Sequence, residues 1–473
     1  INGYESIAGQ INVEIKKPED DELFINMYLN QSGRTELNFN QNYKVSDKWS
    51  TMILLHGSAR PFEVDNNDDG FMDFPTGSQV NVMNRWKYYG TEGLEGQIGG
   101  WYINDRRVGG QIGYEPSIAQ NLQPKYGLEI NTERFELFGK MGYVFGNKPY
   151  KSTGLQASVS RHKQTSNFGF NDYNAVQESG YFNYLYRTQI KSDKHVITTG
   201  ASYVYDRFEE TAYDSSYNRT EQVPGVYMEY TFAPNNNISV VGGLRADFNS
   251  IYGNYITPRF HARWAATEKL VFRGVAGSGR RTVNIFAENQ GMLASSRTYQ
   301  LMGNQSNLPF GLKQEVAYNF GLNFNKDFRL FYRDGYFGVD VYHTRFENQV
   351  IYDIEDARTV KFYNLEGESF ATSIQAEMNY EVIKFVDLKV AYRFLDVQTD
   401  YQSGLKQKPL TAKHRIFSSI GYTTRENKKG GNWKFDGTIQ YLGQQRIPST
   451  AINAPENQRP TTSEGFVTAN MQI

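Results

Sequence analysis

Apolar and polar residues alternate along most of this chain, in segments separated by turns. Residues 257–264 divide cleanly into two alternating sets: Thr257, Arg259, His261 and Arg263 against Pro258, Phe260, Ala262 and Trp264. Residues 270–276 repeat the pattern, with Leu270 and Phe272 opposite Arg273. Because the side chains of a β-strand point alternately to its two faces, these segments are predicted to be strands between two different media. The side chains expected to face water are Arg259, His261, Arg263 and Arg273, with Phe260 and Trp264 facing the apolar medium.

The alternating segments recur roughly every 10 to 14 residues, and no stretch has the periodicity of a helix. Assigning strands between the turns gives about 19 complete segments, from residues 23–31 to residues 433–444, and a further one starting near Gly465. The predicted fold is all-β: a large antiparallel transmembrane β-barrel with lipid outside and water inside. Bacterial barrels have even strand numbers, so we expect about 22 strands when the barrel is complete. A β-propeller or stacked sandwiches would need a fixed repeat, which the sequence lacks.

Short turns and long loops alternate between the predicted strands. The short turns are residues 46–48, 192–194, 235–237, 267–269 and 385–387. The long loops are residues 60–78, 108–126, 165–178, 209–222, 277–311 and 448–463. In outer-membrane barrels the short turns lie on the periplasmic side and the long loops lie outside, and this asymmetry gives the orientation.

Composition agrees with a barrel and excludes several other classes. The chain has 34 Tyr, 31 Phe and 43 Gly, which suit aromatic girdles and crowded strands. No run of about 18 apolar residues exists, so a helical membrane protein is excluded. The net charge of −1 gives no argument for nucleic acid as a partner, and the lack of Cys excludes a disulfide framework. The sequence contains no P-loop, nucleophile elbow or Rossmann glycine pattern, so we do not expect an enzyme.

The first residues carry a motif of their own. Residues 3–17 contain a Gly, a small residue, a second Gly and then Ile11-Asn12-Val13 before two Lys residues. This segment resembles the end of the plug domain of TonB-dependent outer-membrane receptors. Further resemblances follow in that family's order: Gly242–Asp247, Thr257–Arg259, Gly277–Thr282, Leu312–Glu315 and Pro409–Arg415. The style, rich in Asn, Lys and Tyr, is similar to receptors from Bacteroidetes-type bacteria.

The resemblance implies a receptor in the bacterial outer membrane that imports a scarce substrate with energy from a TonB-type complex. Residues 1–18 would be the C-terminal end of the plug domain, and residues 19–473 the barrel in contact with outer-membrane lipid. Most of the plug and the last strands are absent, so we expect a fragment of a longer receptor. The implied cargo is a ferric siderophore or other metal chelate, with oligosaccharide or cobalamin as alternatives. From the residues alone, a passive porin or a surface-assembly barrel is also possible.

A second motif lies in the first long loop. Residues 65–73 have the spacing of the first part of an EF-hand loop, with Gly70 at the position of the sharp turn. The predicted oxygen ligands are the side chains of Asp65, Asn67, Asp69 and Asp73 and the carbonyl of Phe71. Thr76 stands where a bidentate Glu belongs, and a solvated Asn/Asp turn is the alternative. The pattern predicts a structural Ca²⁺ ion in an external loop.

The longest loop begins with a group of polar residues that we predict to bind the ligand: Arg280, Arg281, Asn284, Glu288 and Asn289. Arginine suits two-pronged contact with carboxylate or phosphate-like oxygens, and the other side chains could complete a polar pocket. Long loops without structure of their own tend to be functional. In the alternative interpretation both arginines pair only with loop carboxylates such as Glu288.

Overall fold

The computed structural model describes Ile7 and residues 23–90, 93–428 and 430–473. The predicted plug segment, residues 1–18, lies outside the described residues except for Ile7, so its assignment stays a prediction. The described chain is almost wholly strands, turns and loops. Its helices are the single turn α1 (Ile285–Glu288) and the 3-10 turns Gln120–Leu122, Gln290–Met292, Pro309–Gly311 and Pro455–Asn457. None of the helices in these ranges is long and apolar enough to cross a membrane.

The strands follow one another in chain order. They are β1 (Leu23–Leu29), β2 (Thr35–Lys44), β3 (Trp49–Arg60), β4 (Thr76–Tyr89), β5 (Leu94–Gly110), β6 (Gly127–Val144), β7 (Ser152–Phe168), β8 (Asn171–Ile190), β9 (Ser192–Ala212), β10 (Ser215–Asn235), β11 (Ile238–Asn249), β12 (Gly253–Thr267), β13 (Leu270–Arg281), β14 (Thr298–Leu301), β15 (Glu315–Leu330), β16 (Arg333–Asn348), β17 (Val350–Asp353), β18 (Thr359–Asn364), β19 (Ser369–Ile383), β20 (Val386–Tyr401), β21 (Gly404–Gln407), β22 (His414–Thr423), β23 (Lys434–Leu442) and β24 (Phe466–Gln472).

One antiparallel sheet of 21 strands forms the wall of the described chain. The short β21 only extends the outer end of β20, so β24 is the twentieth strand around the wall, as the sequence predicts. Within the described residues, β1 pairs only with β2 and β24 only with β23. The remaining strands form a small sheet in the loops, with β14 parallel to β18 and β17 antiparallel to β18. The large antiparallel barrel is confirmed, and completion to about 22 strands stays a prediction.

The two faces of β12 differ as the alternation predicts. Phe260 is 47% exposed and Trp264 54% exposed, on a face without protein cover. The opposite face carries Thr257, which the strand registers place beside Arg245 and Tyr227. That face is the interior, because Glu221, on the same side of β10, accepts a hydrogen bond from the loop residue Thr282. Arg259, His261 and Arg263 share the face of Thr257, and Arg273 donates to the interior residue Asn323 at 2.9 Å.

Two predicted external loops are wrong. In residues 165–178, β7 continues to Phe168 and β8 starts at Asn171; in residues 209–222, β9 ends at Ala212 and β10 starts at Ser215. Each segment is a paired hairpin tip closed by a tight turn. The reason is that strands above the membrane no longer have a lipid face, so the apolar alternation disappears while the backbone pairing continues. The short turn predicted at residues 192–194 also belongs to β9, and the chain turns at Lys191, which has φ of 61°.

Candidate functional site at the external mouth of the barrel

Two loops fold together inside the external mouth. We call residues 282–314 and 349–368 the cap; they contain α1 and the small sheet of β14, β17 and β18. The cap has a hydrophobic core that it shares with the inner tips of the long hairpins. The buried members are Phe168, Tyr173, Ala212, Val283, Ile285, Phe286, Met292, Leu293, Leu312, Val350, Val360 and Phe362. These loops are therefore folded structure and not solvated connections.

Aromatic rings dominate the contact between the cap and the hairpin tips. Phe286 is fully buried and lies 5.0 Å from the ring of Tyr217, 5.6 Å from Tyr299 and 5.9 Å from Phe310. The hydroxyls of Tyr217 and Tyr299 are hydrogen bonded at 2.9 Å. Burial raises the pKa of Tyr213, at the tip of the β9–β10 hairpin, to about 12. In the sequence these aromatic residues lie in separate loops, and no local pattern indicates which rings are in contact.

Buried polar groups fix the start of the cap to the barrel wall. Arg219 of β10 donates to the side chain of Asn284 at 2.8 Å, and Thr282 donates to Glu221 at 2.9 Å. The side chains of Arg219 and Glu221 are only 7% and 3% exposed. The Arg219 guanidinium also lies 4.3 Å above the ring of Phe208. Since buried polar groups must be paired, these bonds set where the loop leaves β13.

Four of the five predicted ligand residues are brought close together, but their polar groups are bonded to other protein groups. Arg281 donates through Nε to Glu315 at 2.7 Å and through both terminal nitrogens to Glu288 at 3.1 and 2.6 Å. The backbone N–H of Asn284 donates to the same Glu288 carboxylate at 3.0 Å. The Asn289 amide donates to the Ile285 carbonyl at 2.8 Å and so closes the short helix. These contacts favour the alternative in which Arg281 serves the loop structure, while ligand binding stays a prediction.

Arg280 and Arg281 cannot act as a simple pair. Both belong to β13, but their side chains turn towards different neighbouring strands. Arg281 turns to Glu315, whereas the Arg280 guanidinium lies 4.6 Å over the ring of Tyr255. The two guanidiniums are therefore directed towards β15 and β12 and not towards one another.

A cavity of about 390 Å³ lies between the cap and the inner face of β19 and β20. Three of the predicted residues line it, namely Arg281, Glu288 and Asn289. Its remaining wall is largely apolar, with Tyr352 from the cap and Tyr401 from β20. Asn284 and Arg280 lie outside it. The cavity is thus the place where the described residues leave room for a small molecule beside the predicted ligand residues.

An ion-pair latch centred on Glu355, not predicted from the sequence, ties the cap to β21 and to the loop that follows β23. Glu355 accepts both terminal nitrogens of Arg446 at 2.9 and 2.7 Å and the ammonium of Lys406 at 3.0 Å. Burial alone would raise the pKa of Glu355, but the bonds from Arg446 and Lys406 outweigh burial and hold the pKa below its ordinary value of 4.5. The partners lie 51 and 91 residues from Glu355, so no local motif could reveal them.

The predicted calcium loop is a turn held by its own carboxylates. Asp65 accepts the N–H groups of Asp69 at 3.3 Å and Gly70 at 2.9 Å, and Asp69 accepts that of Phe71 at 2.8 Å. Asp73 bonds instead to the backbone and side chain of Asn66. The described residues contain no group of three or more His, Cys, Asp or Glu side chains arranged to hold a metal ion. These bonds favour the Asn/Asp turn, and Ca²⁺ binding by Asp65, Asn67, Phe71, Asp69 and Asp73 stays a prediction.

The family assignment follows from the barrel and from the sequence. The model of the family described as TonB dependent receptor-like, beta-barrel matches residues 28–473. The chain therefore belongs to this family, whose members are outer-membrane transport receptors and not enzymes. No curated protein matches the sequence.

Solved structures share the fold at low identity. The ferric-catecholate import receptor Fiu from K12 E. coli has a TM-score of 0.69 and 10% identity, over 96% of this chain and 75% of Fiu. The siderophore receptor PirA from Acinetobacter baumannii has a TM-score of 0.68 and 11% identity, over 95% of this chain and 72% of PirA. P. aeruginosa FpvA, bound to heterologous pyoverdines, has a TM-score of 0.68 and 10% identity over 94% of this chain. The chain spans only 64% of the length of that FpvA chain.

Proposed function

We propose that this chain is the barrel of a receptor that imports a ferric siderophore, or another metal chelate, across the outer membrane. A TonB-type energy-transducing complex would be its partner. The family match over residues 28–473 supports gated uptake, and the similar structures named for siderophores support the substrate class. Binding and gating are the chemistry required, without a covalent step.

The observation that carries the proposal is the cap folded inside the barrel mouth. A barrel of this size conducts solutes freely unless folded protein fills its interior. A passive pore keeps an aqueous path open. Here the mouth holds a hydrophobic core centred on Phe286, joined to the wall through Arg219 and Glu221. A folded cap with a cavity of about 390 Å³ beside Arg281 offers a binding site for one cargo at the mouth, which selective import requires.

The ligand would be held at the external mouth, where the cap, the cavity beside Arg281 and the hairpin tips meet. Loops there can vary in chemistry while the paired strands stay unchanged. In this proposal Arg280, Arg281, Asn284, Glu288 and Asn289 remain the ligand-binding set, with Glu288 releasing Arg281 when an anionic or oxygen-rich cargo arrives. Lysine keeps the positive charge but loses the planar fork, so Arg280→Lys with Arg281→Lys should weaken affinity for the cargo.

A growth experiment tests the substrate class. A strain lacking the full-length gene is grown on limiting iron supplied as different ferric siderophores, and separately on limiting copper, cobalamin or glycans. We expect a defect with at least one ferric chelate that the wild-type gene restores. Normal growth on every ferric chelate together with a defect on a glycan or cobalamin would contradict the proposal.

Conductance of the full-length protein in planar bilayers separates gated import from passive diffusion. We expect a closed baseline in the absence of denaturant. A steady open pore would support a porin and would contradict the hypothesis of gated import.

A further inference from the structure

The hairpin of β15 and β16 ends in a turn whose two residues are both aromatic. Phe331 and Tyr332 lie between the strands with φ of 48° and 63°, in the left-handed region. Two-residue hairpin turns of this kind favour Asn and Gly, because a Cβ is strained there. Strain that persists at an exposed site calls for a functional explanation.

This turn differs from the other short turns on the same side of the barrel. The β10–β11 and β12–β13 turns carry polar residues, Asn236 and Glu268 among them. Phe385 also has a positive φ, but its ring is covered by the charged ends of Lys384 and Arg425 at 5.1 and 5.8 Å. In contrast, Phe331 is 81% exposed and Tyr332 is 89% exposed. Within the described residues, no side chain of the barrel therefore covers these two rings.

The hairpin tip is held in place from one side. The Tyr380 hydroxyl donates to the Leu330 carbonyl at 3.0 Å, and its ring stacks with Phe328 at 5.9 Å. Gly335 makes room for the Phe328 ring, since a Cβ there would lie 2.4 Å from it. On the other side, pairing of β15 with β13 stops at Lys326. The tip is thus an ordered projection beyond the neighbouring β12–β13 turn.

The tip continues the lipid-facing surface. Phe320, Leu322 and Phe324 face outwards on β15, and strand alternation puts Phe328 and Leu330 on the same face. From Tyr318, near the external end of this face, to Leu330 is about 40 Å along the strand and roughly 30 Å across a membrane for a tilt near 40°. The apolar band of such barrels is about 25 Å tall, so the turn falls at its periplasmic boundary.

We propose that Phe331 and Tyr332 insert among the phospholipid headgroups of the inner leaflet and anchor the periplasmic end of the barrel. Aromatic side chains are favoured at this level, where one end of the ring is apolar and the other wet. Arg329 lies on the opposite face of β15, 3.8 Å from Asp334, and takes no part in this lipid contact. The proposed partner is therefore the lipid surface, which already covers the outward-facing column of β15.

Spin labelling of the barrel in phospholipid bilayers tests the anchor. The 473 residues contain no Cys, so Phe331→Cys provides a single attachment site for a nitroxide. The matched control is Phe170→Cys, at a hairpin tip on the external side where the native ring is 77% exposed. We expect the label at 331 to be relaxed mainly by oxygen, and the label at 170 mainly by a water-soluble nickel complex. Equal accessibility of both labels to the nickel complex would overturn the anchor, because it would place residue 331 in water.

A second variant tests whether the aromatic pair itself holds the tip in lipid. A nitroxide at Leu330→Cys is compared with and without Phe331→Asn and Tyr332→Gly, which suit the turn and preserve the hairpin. We expect the label at 330 to shift from oxygen to nickel accessibility when the rings are removed. If it stays as accessible to oxygen as before, the rings are not the anchor, and the proposal fails even though the tip touches lipid.

Discussion

Arg281 shows how one residue can satisfy a sequence rule and still have its donors committed elsewhere. Its position at the end of a rigid strand is the one expected for a preorganised ligand clamp. Its bonds, however, go to Glu315 and Glu288, two carboxylates that its own fold supplies. Glu315 is buried and also accepts the N–H of Val350, so Arg281 closes a contact between β13, β15 and the cap.

Removing Arg281 is expected to destabilise the cap. Arg281→Ala leaves the buried Glu315 carboxylate without its cation, a loss of about 1–3 kcal/mol. The cost should appear as faster proteolysis of residues 282–314 in the folded barrel. Arg345→Ala is the matched control, because its contact with Glu368 is 4.0 Å long and both side chains are 69% exposed. Equal protease resistance of the Arg281 variant and the control would show that Arg281 has no structural role. Ligand binding would then be the favoured role of this residue.

Calcium binding can be tested by substituting single carboxylates of the loop at residues 65–73. A Ca²⁺ ion could bind the lone pairs of Asp65 and Asp69 that remain beside the backbone N–H groups these carboxylates accept. Binding would therefore give heat on titration of the folded barrel at millimolar Ca²⁺, and Asp65→Ala and Asp69→Ala should both abolish it. Asp47→Ala, at an exposed periplasmic turn, is the control. If the wild type gives no heat, the motif is only a turn.

The cap shares its core with the hairpin tips, but side-chain packing and not pairing with the wall strands holds it there. Its residues come from two loops of the chain, and its sheet joins β14 to β18 across 60 residues. The barrel wall, in contrast, depends on backbone pairing between successive strands. Damage to the cap core is therefore expected to loosen the loops before it affects the wall.

Phe286→Ala tests this separation. Phe286 is fully buried, and truncating such a residue costs about 3–5 kcal/mol in a packed core. We expect faster cleavage within residues 282–314 and 349–368, with an unchanged melting temperature of the β-sheet by circular dichroism. Phe170→Ala, at an exposed hairpin tip, should alter neither measurement. A matching fall in the melting temperature would mean that cap and wall unfold as one unit.

The Glu355 latch gives the cap a dependence on pH. Since the folded-state pKa of Glu355 is held below 4.5, its stabilisation is present above that value and is lost as the pH falls through the folded pKa. Cleavage of residues 349–368 by an acid-active protease should therefore accelerate on acidification below about pH 4.5. In Glu355→Gln the latch should already be weak at neutral pH, with a flatter profile. An unchanged pH profile in this variant would assign the transition to other carboxylates.

At the scale of the whole molecule, the features predicted correctly from the sequence are those that follow from the alternation of side chains along a strand. The strand count and the two faces of β12 follow from alternation, because an Arg in the wrong register would face lipid. The hairpin tips at residues 165–178 and 209–222 could not be recognised, since strands in water show no lipid face. The site contacts, such as Arg219 with Asn284, join residues 65 positions apart and depend on how two loops pack. Such contacts are tertiary and have no signature in local sequence.

The lipid-facing parity can be tested across the whole barrel with two adjacent residues. Phe260→Arg puts a guanidinium on the outer face, near the middle of the exposed apolar column between Ile256 and Trp264, at a cost of about 2–4 kcal/mol. His261→Arg puts the same group on the inner face, where water and the strand carboxylate Glu229 can receive it. We therefore expect Phe260→Arg to lower the yield of folded, heat-modifiable barrel and its unfolding free energy in bilayers, while His261→Arg stays close to the wild type. A reversed order of the two variants would place Phe260 in the interior and would end the assignment of the faces, because adjacent residues of β12 lie on opposite faces.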